Sequence, residues 1–253
     1  MILVLSGTRD GRDIIDNLTA SGHDVIATVV SEYGAALMDG NGVSVVTGTM
    51  DKNGLIGLIA DKGIKLIVDA THPYADKVSE MAQEIADLKN IKCLRYQRPE
   101  STLPKNKLIF RVPDYQAAAR KAVELGEIIF LTTGTKTLDI FTSVAKEKCK
   151  RVIARVLPEV KSISHCLSCG LQPIDIIAMQ GPFSLEMNIA MLRQTAAEVL
   201  VTKDSGQIGG TDTKVEAALG LNIPVVLIER PPLKGEIITD LSQLMLQISH
   251  LIK

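Results

Sequence analysis

Residues 1–22 read MILVLSGTRDGRDIIDNLTASG. The apolar run Ile2–Leu5 stops at Ser6-Gly7. From about Gly11 to Ser21 the residues Ile14, Ile15 and Leu18 then fall on one helical face, with Ser21-Gly22 as a usable cap. Strand, glycine turn and helix thus follow one another within a single βα unit. The same succession recurs, with strands expected near Ile2–Leu5, Val25–Val30, Val43–Val46, Leu66–Asp69 and Cys93–Tyr96. It resumes near Ile128–Thr132, Val152–Val156, Ile174–Ala178, Val199–Val201 and Val225–Ile228. Helical patterns separate the strands; one, about Ala75–Lys89, carries a stripe of Val78, Met81, Ala82, Ile85 and Leu88, and another, about Asp240–Leu251, closes the chain. Repeated βα units build a parallel sheet covered by helices.

The stretch RPESTLPKNK, residues 98–107, has two prolines and no apolar periodicity, so it reads as a linker. The expected fold is therefore α/β, with two Rossmann-like doubly wound parallel-sheet domains, residues 1–100 and 101–253. No residue-level repeat of fixed period links the halves.

Composition narrows the function. The 253 residues are 46% apolar and 23% charged, with 28 Lys+Arg against 29 Asp+Glu, four Phe, four Tyr and no Trp. Without a basic excess or rings to stack on bases, a nucleic-acid partner is not expected. Apolar runs reach about five residues, as in Met1–Leu5, against the ~20 of a membrane-spanning helix, so no membrane partner is expected. The first residues read as a strand rather than a basic leader, which places the protein in the cytoplasm. A monomer is expected, with an oligomer left open. Four cysteines in a reducing compartment read as free thiols. His165-Cys166-x-x-Cys169 lacks two further ligands at suitable spacing, and no metal site is expected. G-x-S-x-G, Walker A and H-E-x-x-H motifs are absent from the sequence.

In doubly wound sheets, ligands sit at the carboxyl ends of strands where the strand order reverses. The strand exits here are dense in Gly, Thr, Ser, Lys and Arg, which lets backbone N–H groups and cations approach an anion. At the first, Gly7 and Gly11 with Thr8, Arg9 and Arg12 suit a phosphate on a helix N-terminus. The spacing is not G-x-G-x-x-G, and any glycine-containing βα turn looks similar. The second strand runs into Ser31, where NAD-binding folds carry an acid. Two arginines nearby favour NADPH, while Glu32 keeps NADH open. DATHPYA (Asp69–Ala75) brings His72 and Tyr74 to one exit; the plainer reading has Pro73 in a first helical turn capped by Thr71 or His72. Lys203-Asp204-Ser205-Gly206, with Gly209-Gly210 and Lys214, suits an anion site; the plainer reading is a loop with Thr211 or Asp212 as helix cap.

Taken together, GTRDGR, DATHPYA, RYQRP, TTGTK, ARVLP, AMQGPFS and TKDSG with its following GG and Lys closely resemble the precorrin-6A reductase family, including its cobalt-precorrin-6A branch, from Gly7 to Pro231. The resemblance implies a nicotinamide-dependent reductase that adds hydride and a proton across a double bond of a corrin precursor, giving precorrin-6B or its cobalt form. It also implies a strand exchanged between the two domains. The cofactor, NADPH with NADH possible, is then expected at Gly7, Thr8, Arg9, Asp10, Gly11, Arg12, Ser31 and Thr71. Lys203, Asp204, His72 and Tyr74 are the candidates for proton delivery. The tetrapyrrole and its carboxylates are expected at Arg95, Arg98, Thr133, Gly134, Lys136, Arg155, Gln180, Gly181, Ser184, Ser205, Gly206 and Lys214. Two other readings stay open: a non-catalytic Rossmann-type sensor of nucleotide or tetrapyrrole, and an oxidoreductase of a smaller substrate.

Overall fold

In the computed structural model, residues 1–38, 43–206, 209–232 and 236–252 are described. The first stretch of chain runs β1 (Ile2–Leu5), α1 (Arg9–Ala20), β2 (Val25–Val29), α2 (Glu32–Ala36), β3 (Ser44–Thr47), α3 (Lys52–Lys62), β4 (Leu66–Asp69), α4 (Asp76–Lys89) and β5 (Lys92–Tyr96). The second runs β6 (Ile109–Val112), α5 (Tyr115–Leu125), β7 (Ile128–Leu131), α6 (Leu138–Glu147), β8 (Arg151–Val156), α7 (Val160–Ser168), β9 (Ile176–Ala178), α8 (Leu185–Gln194), β10 (Val199–Lys203), α9 (Thr211–Gly220) and β11 (Val225–Ile228). The chain ends in β12 (Ile237–Ile238) and α10 (Leu241–Leu251). Every residue of β1, β4 and β11 is buried, as expected of parallel strands with helices on both faces.

One sheet has the order β3-β2-β1-β4-β5-β12 and the other β9-β8-β7-β10-β11-β6, and all the pairings are parallel. By position both are the 3-2-1-4-5-6 arrangement of a dinucleotide-binding fold. The sixth places are filled reciprocally. Strand β6 follows β5 in the chain but pairs with β11, while β12 follows β11 but pairs with β5. This is the exchanged strand that the family resemblance implies.

The exchange corrects the expected domain bounds. One unit comprises Met1–Pro99 with Pro232–Lys253, and the other Glu100–Pro231. The final segment returns because its apolar side chains complete the first core: Ile238, Leu244 and Ile248 are buried with Ile14 and Leu18 of α1. Strand β12 has only two residues and β6 lies at a sheet edge, so neither carries a strong alternating signal. Two smaller differences matter less for the fold. Pro173–Asp175 form a 3₁₀ turn, so β9 starts at Ile176, and β10 runs on to Lys203, which puts that lysine at a strand end.

Strand order reverses between β1 and β4 in one sheet and between β7 and β10 in the other. The loops leaving these four strands are where a ligand is sought.

The packing of α10 is testable. Leu244 is fully buried in the first core, whereas Leu246 is 62% exposed. In urea melts Leu244→Ala is expected to lose about 2–5 kcal/mol, and Leu246→Ala to stay within about 0.5 kcal/mol of the parent. Equal losses from the two would contradict the return of α10 to the first unit.

Candidate functional site

In the first unit, the exit of β1 is built around two glycines with different duties. Gly7 sits at φ 136°, a backbone conformation that side-chain-bearing residues rarely adopt, and nothing lies within 4 Å of where a Cβ would be. At Gly11 a Cβ would stand 2.3 Å from Ser6 Oγ, so the glycine lets the first turn of α1 seat directly on the end of β1. Thr8 caps α1: its Oγ1 accepts from Gly11 N (3.1 Å) and donates to Ala70 O (3.1 Å), which joins the exits of β1 and β4. Arg9 is exposed and Arg12 half-buried beside this turn. Ser31 caps α2, its hydroxyl accepting from Gly34 N (3.1 Å).

Four residues expected to contact a ligand, Asp10, Thr71, Arg95 and Arg98, are engaged within the unit. Asp10, buried in the first turn of α1, pairs with Arg98 at 2.5 Å. Asp69, 1% exposed at the end of β4, pairs with Arg95 Nη1 at 2.5 Å and accepts from Thr71 N (3.0 Å) and Thr71 Oγ1 (2.8 Å). Arg95 also donates to Thr71 Oγ1 (2.7 Å) and His72 O (3.4 Å). Each arginine thus has its charge compensated by a carboxylate, and both act as braces for the exits. The helix after this loop begins at Asp76 with Ala75 as its cap, so Pro73 and Thr71 do not start it. His72 Nδ1 accepts from Tyr74 N (3.3 Å), which leaves the proton of the neutral ring on Nε2. The two rings stand 5.7 Å apart and are half-buried.

In the second unit, the exit of β10 is fixed by its own side chains. Asp204 is 1% exposed; its Oδ1 accepts from Ser101 N and Gly206 N (3.2 Å each), and Arg230 pairs with it at 3.7 Å while donating Nε to Asp204 O (2.9 Å). Through Oδ1 this carboxylate staples the loop. Thr211 Oγ1 accepts from Ser205 N (2.9 Å) and donates to Lys203 O (3.1 Å), so it braces the loop instead of capping α9. The cap is Gly210, at φ 64°, with no side-chain hydrogen bond to the helix end. A Cβ at Gly209 would lie 2.3 Å from Ser205 Cβ, so the loop closes this tightly only with glycine there.

Cations converge around this loop. Burial, and then the neighbouring Lys136, lower the Lys203 ammonium to about 8. Burial followed by Arg155 and Lys203 lowers Lys214 to about 7, with Asp212 and Asp204 acting in the opposite sense. Burial lowers Arg155 to about 10. The Arg155 Nη1 donates to Asn188 Oδ1 (2.8 Å), and its guanidinium carbon lies 4.3 Å from the Phe183 ring centre. Among the described residues no carboxylate pairs with Lys136, Arg155 or Lys214. Thr133 and Thr202 are buried here, and neither Oγ1 has a hydrogen-bond partner among the described residues.

The remaining expected residues surround these. Gly134 turns the exit of β7 at φ 80°, and Gly206 turns that of β10 at φ 72°. Gln180 and Gly181 are exposed after β9, where a Cβ on Gly181 would meet the Phe183 ring at 3.0 Å. Ser184 caps α8, accepting from Met187 N (3.3 Å). Asn188 and Thr202 are not among the residues expected from the sequence. The available signal was a polar residue next to an apolar run, Thr202 after Val199–Val201 and Asn188 before Ile189–Leu192.

Among the described residues no three of His, Cys, Asp and Glu come together as a metal site. His165, Cys166 and Cys169 lie on and just after α7; Cys166 is buried, and Cys169 Sγ stands 3.6 Å from His165 Nε2. The four cysteines are free thiols, and burial raises Cys93 to about 12. Among the described residues no helix is long and apolar enough to cross a membrane.

A set of buried cations without carboxylates is suited to a ligand that brings several negative charges. The family model described as precorrin-6x reductase CbiJ/CobK matches residues 1–249. The cobalt-precorrin-6A reductase of Methanothermobacter thermautotrophicus is 41% identical over 243 residues, which are 93% of this chain and 78% of that one. The protein of the same name from Priestia megaterium is 37% identical and is covered, like this chain, to 92%. Among solved structures, CobK precorrin-6A reductase shares the fold with a TM-score of 0.81, over 99% of this chain and 97% of its own, at 22% identity. With the match running almost from end to end, the chain belongs to the precorrin-6x reductase CbiJ/CobK family.

Proposed function

We propose that the protein reduces precorrin-6A, or its cobalt form, to the corresponding precorrin-6B in cobalamin biosynthesis, as a cytoplasmic enzyme that takes hydride from NADPH. The observation that carries this reading is the cation cluster at the exit of β10. Beside Lys136 and Lys203, a tetrapyrrole edged by acetate and propionate groups supplies carboxylates for the buried Arg155 and Lys214, which pair with none among the described residues. Its arrival offsets the cost of burying those charges, and Arg155 favours planar, two-point pairing with a carboxylate.

The first unit suits the cofactor. Gly7 leaves the backbone turn open, Gly11 seats α1 on β1, and Arg9 and Arg12 stand beside the helix end, so these residues would hold phosphates. The two arginines favour the extra phosphate of NADPH over NADH. When bound, the nicotinamide supplies the hydride, and the protein supplies position and a proton. Asp10 and Thr71 act indirectly, through Arg98 and Arg95. For the proton, Lys203 is favoured over Asp204, His72 and Tyr74. Its ammonium is lowered to about 8, close to the pH at which it must give the proton up, and it lies at the end of β10 among the cations.

The direct test is anaerobic incubation of the protein with precorrin-6A or cobalt-precorrin-6A and each nicotinamide. Substrate-dependent oxidation is expected, faster with NADPH than with NADH. Tight binding without oxidation would establish a sensor and overturn the proposal.

Lys214 gives a second, independent prediction. Its folded value of about 7 lies below the ordinary 10.5, so between these pH values the unfolded chain binds the extra proton and stability rises with pH. Lys214→Met is expected to unfold at higher denaturant than the parent at pH 7, and the gap should narrow by pH 9. Turnover should show at least a tenfold higher KM for the tetrapyrrole. A gap that is absent or independent of pH would show that no charge is buried at this position.

A further inference from the structure

Among the described residues four arginine side chains are buried near strand exits. Arg95 pairs with Asp69, Arg98 with Asp10 and Arg230 with Asp204, each a carboxylate of the same unit. Arg155, 9% exposed at β8, has instead a neutral amide, Asn188 Oδ1 at 2.8 Å, and the thioether of Met191 at 3.5 Å. The Phe183 ring covers one face of its guanidinium, which adds a cation–π contact without adding negative charge.

Asn188 is itself held. It is 3% exposed, and its Nδ2 donates to Ser184 O (2.9 Å) and Phe183 O (3.4 Å). Those two bonds fix which end of the amide faces Arg155, because turning it over would direct an NH₂ at the guanidinium and an oxygen at two carbonyls. An asparagine bonded back to its own helix is a poor helix former, so its presence inside α8 is not explained by local stability. An aspartate would have nearly the same shape and would neutralise the buried cation, as in the other three pairs.

We infer that Asn188 is a positioning residue for substrate recognition: it orients the Arg155 guanidinium while leaving its positive charge for a carboxylate of the tetrapyrrole. The inference rests on the proposed reading of the cation cluster as the substrate site. Once Arg155 is held by a neutral acceptor and an aromatic face, its remaining N–H groups are directed by fixed neighbours. A carboxylate entering the site meets an oriented donor pair with no internal competitor.

The test compares Asn188→Asp, Asn188→Ala and Arg155→Met by steady-state kinetics with NADPH and precorrin-6A or its cobalt form, alongside melting curves. Asn188→Asp is expected to raise the tetrapyrrole KM at least tenfold with kcat within about twofold of the parent. Asn188→Ala keeps the charge and loses only the orientation, so it should raise KM less. A purely structural role would lower the melting curves of both variants without a KM that follows charge, because alanine removes every contact and aspartate turns its second oxygen toward the carbonyls of Ser184 and Phe183. If Asn188→Asp does not fold, Met191→Glu brings a carboxylate to the same guanidinium from α8, and the same rise in KM is expected. A raised KM in Arg155→Met, together with an unchanged KM in the carboxylate variant or a larger rise in Asn188→Ala, would overturn the role of Asn188 alone. An unchanged KM in Arg155→Met would overturn the substrate-site reading as well.

Discussion

Positive charge buried without a matching carboxylate is the condition around which the second unit is arranged. Taking an ammonium or guanidinium out of water is costly unless an opposite charge or several hydrogen bonds compensate it. Lys214 and Arg155 have no carboxylate partner among the described residues, and burial lowers both. A loop that carries such groups does not stay in place through the groups themselves. Its shape comes from elsewhere: Asp204 held by Arg230 and two backbone N–H groups, Thr211 bridging Ser205 and Lys203, and glycine at 209 where no side chain fits. These contacts hold the loop without using the cations, which are left for a ligand.

The two sheets have the same strand order, yet their switch points differ in charge. At the exits of β1 and β4 the buried arginines are neutralised by Asp69 and Asp10, and what is left open is a glycine turn with Arg9 and Arg12 beside it. At the exits of β7 and β10 the internal acid is used on the loop, and the cations remain. One arrangement suits phosphates lying along a helix end; the other suits carboxylates around a flat ring system. A reductase that brings a dinucleotide to a polycarboxylate macrocycle requires both.

Much of this was legible in the sequence because strand exits are local features. The runs around Ile2–Leu5, Leu66–Asp69 and Val225–Ile228 match the observed strands to the residue, and the glycines and cations follow directly after them. What the sequence does not reveal is which cations are already neutralised. Arg95 and Arg155 look alike as arginines near the ends of short strands, but one faces Asp69 and the other Asn188, partners set by sheet register and helix packing. Asp204 lies in a Lys-Asp-Ser-Gly loop that reads as chemistry, and only its contacts with Ser101 and Arg230 make it a staple. The exchanged strands were hidden for a related reason. A two-residue strand such as β12 has no periodicity of its own, and its place is decided by Leu244 and Ile248 entering the core beneath α1.

The most direct measurement is a crystal structure of the protein with oxidised cofactor and the tetrapyrrole bound. The account predicts substrate carboxylates in ion-pair contact with Lys214 and with Arg155, which should still be hydrogen-bonded to Asn188, and dinucleotide phosphates on the turn from Gly7 to Arg12. Dinucleotide phosphates lying instead against Lys203 and Lys214, with the macrocycle carboxylates elsewhere, would contradict it.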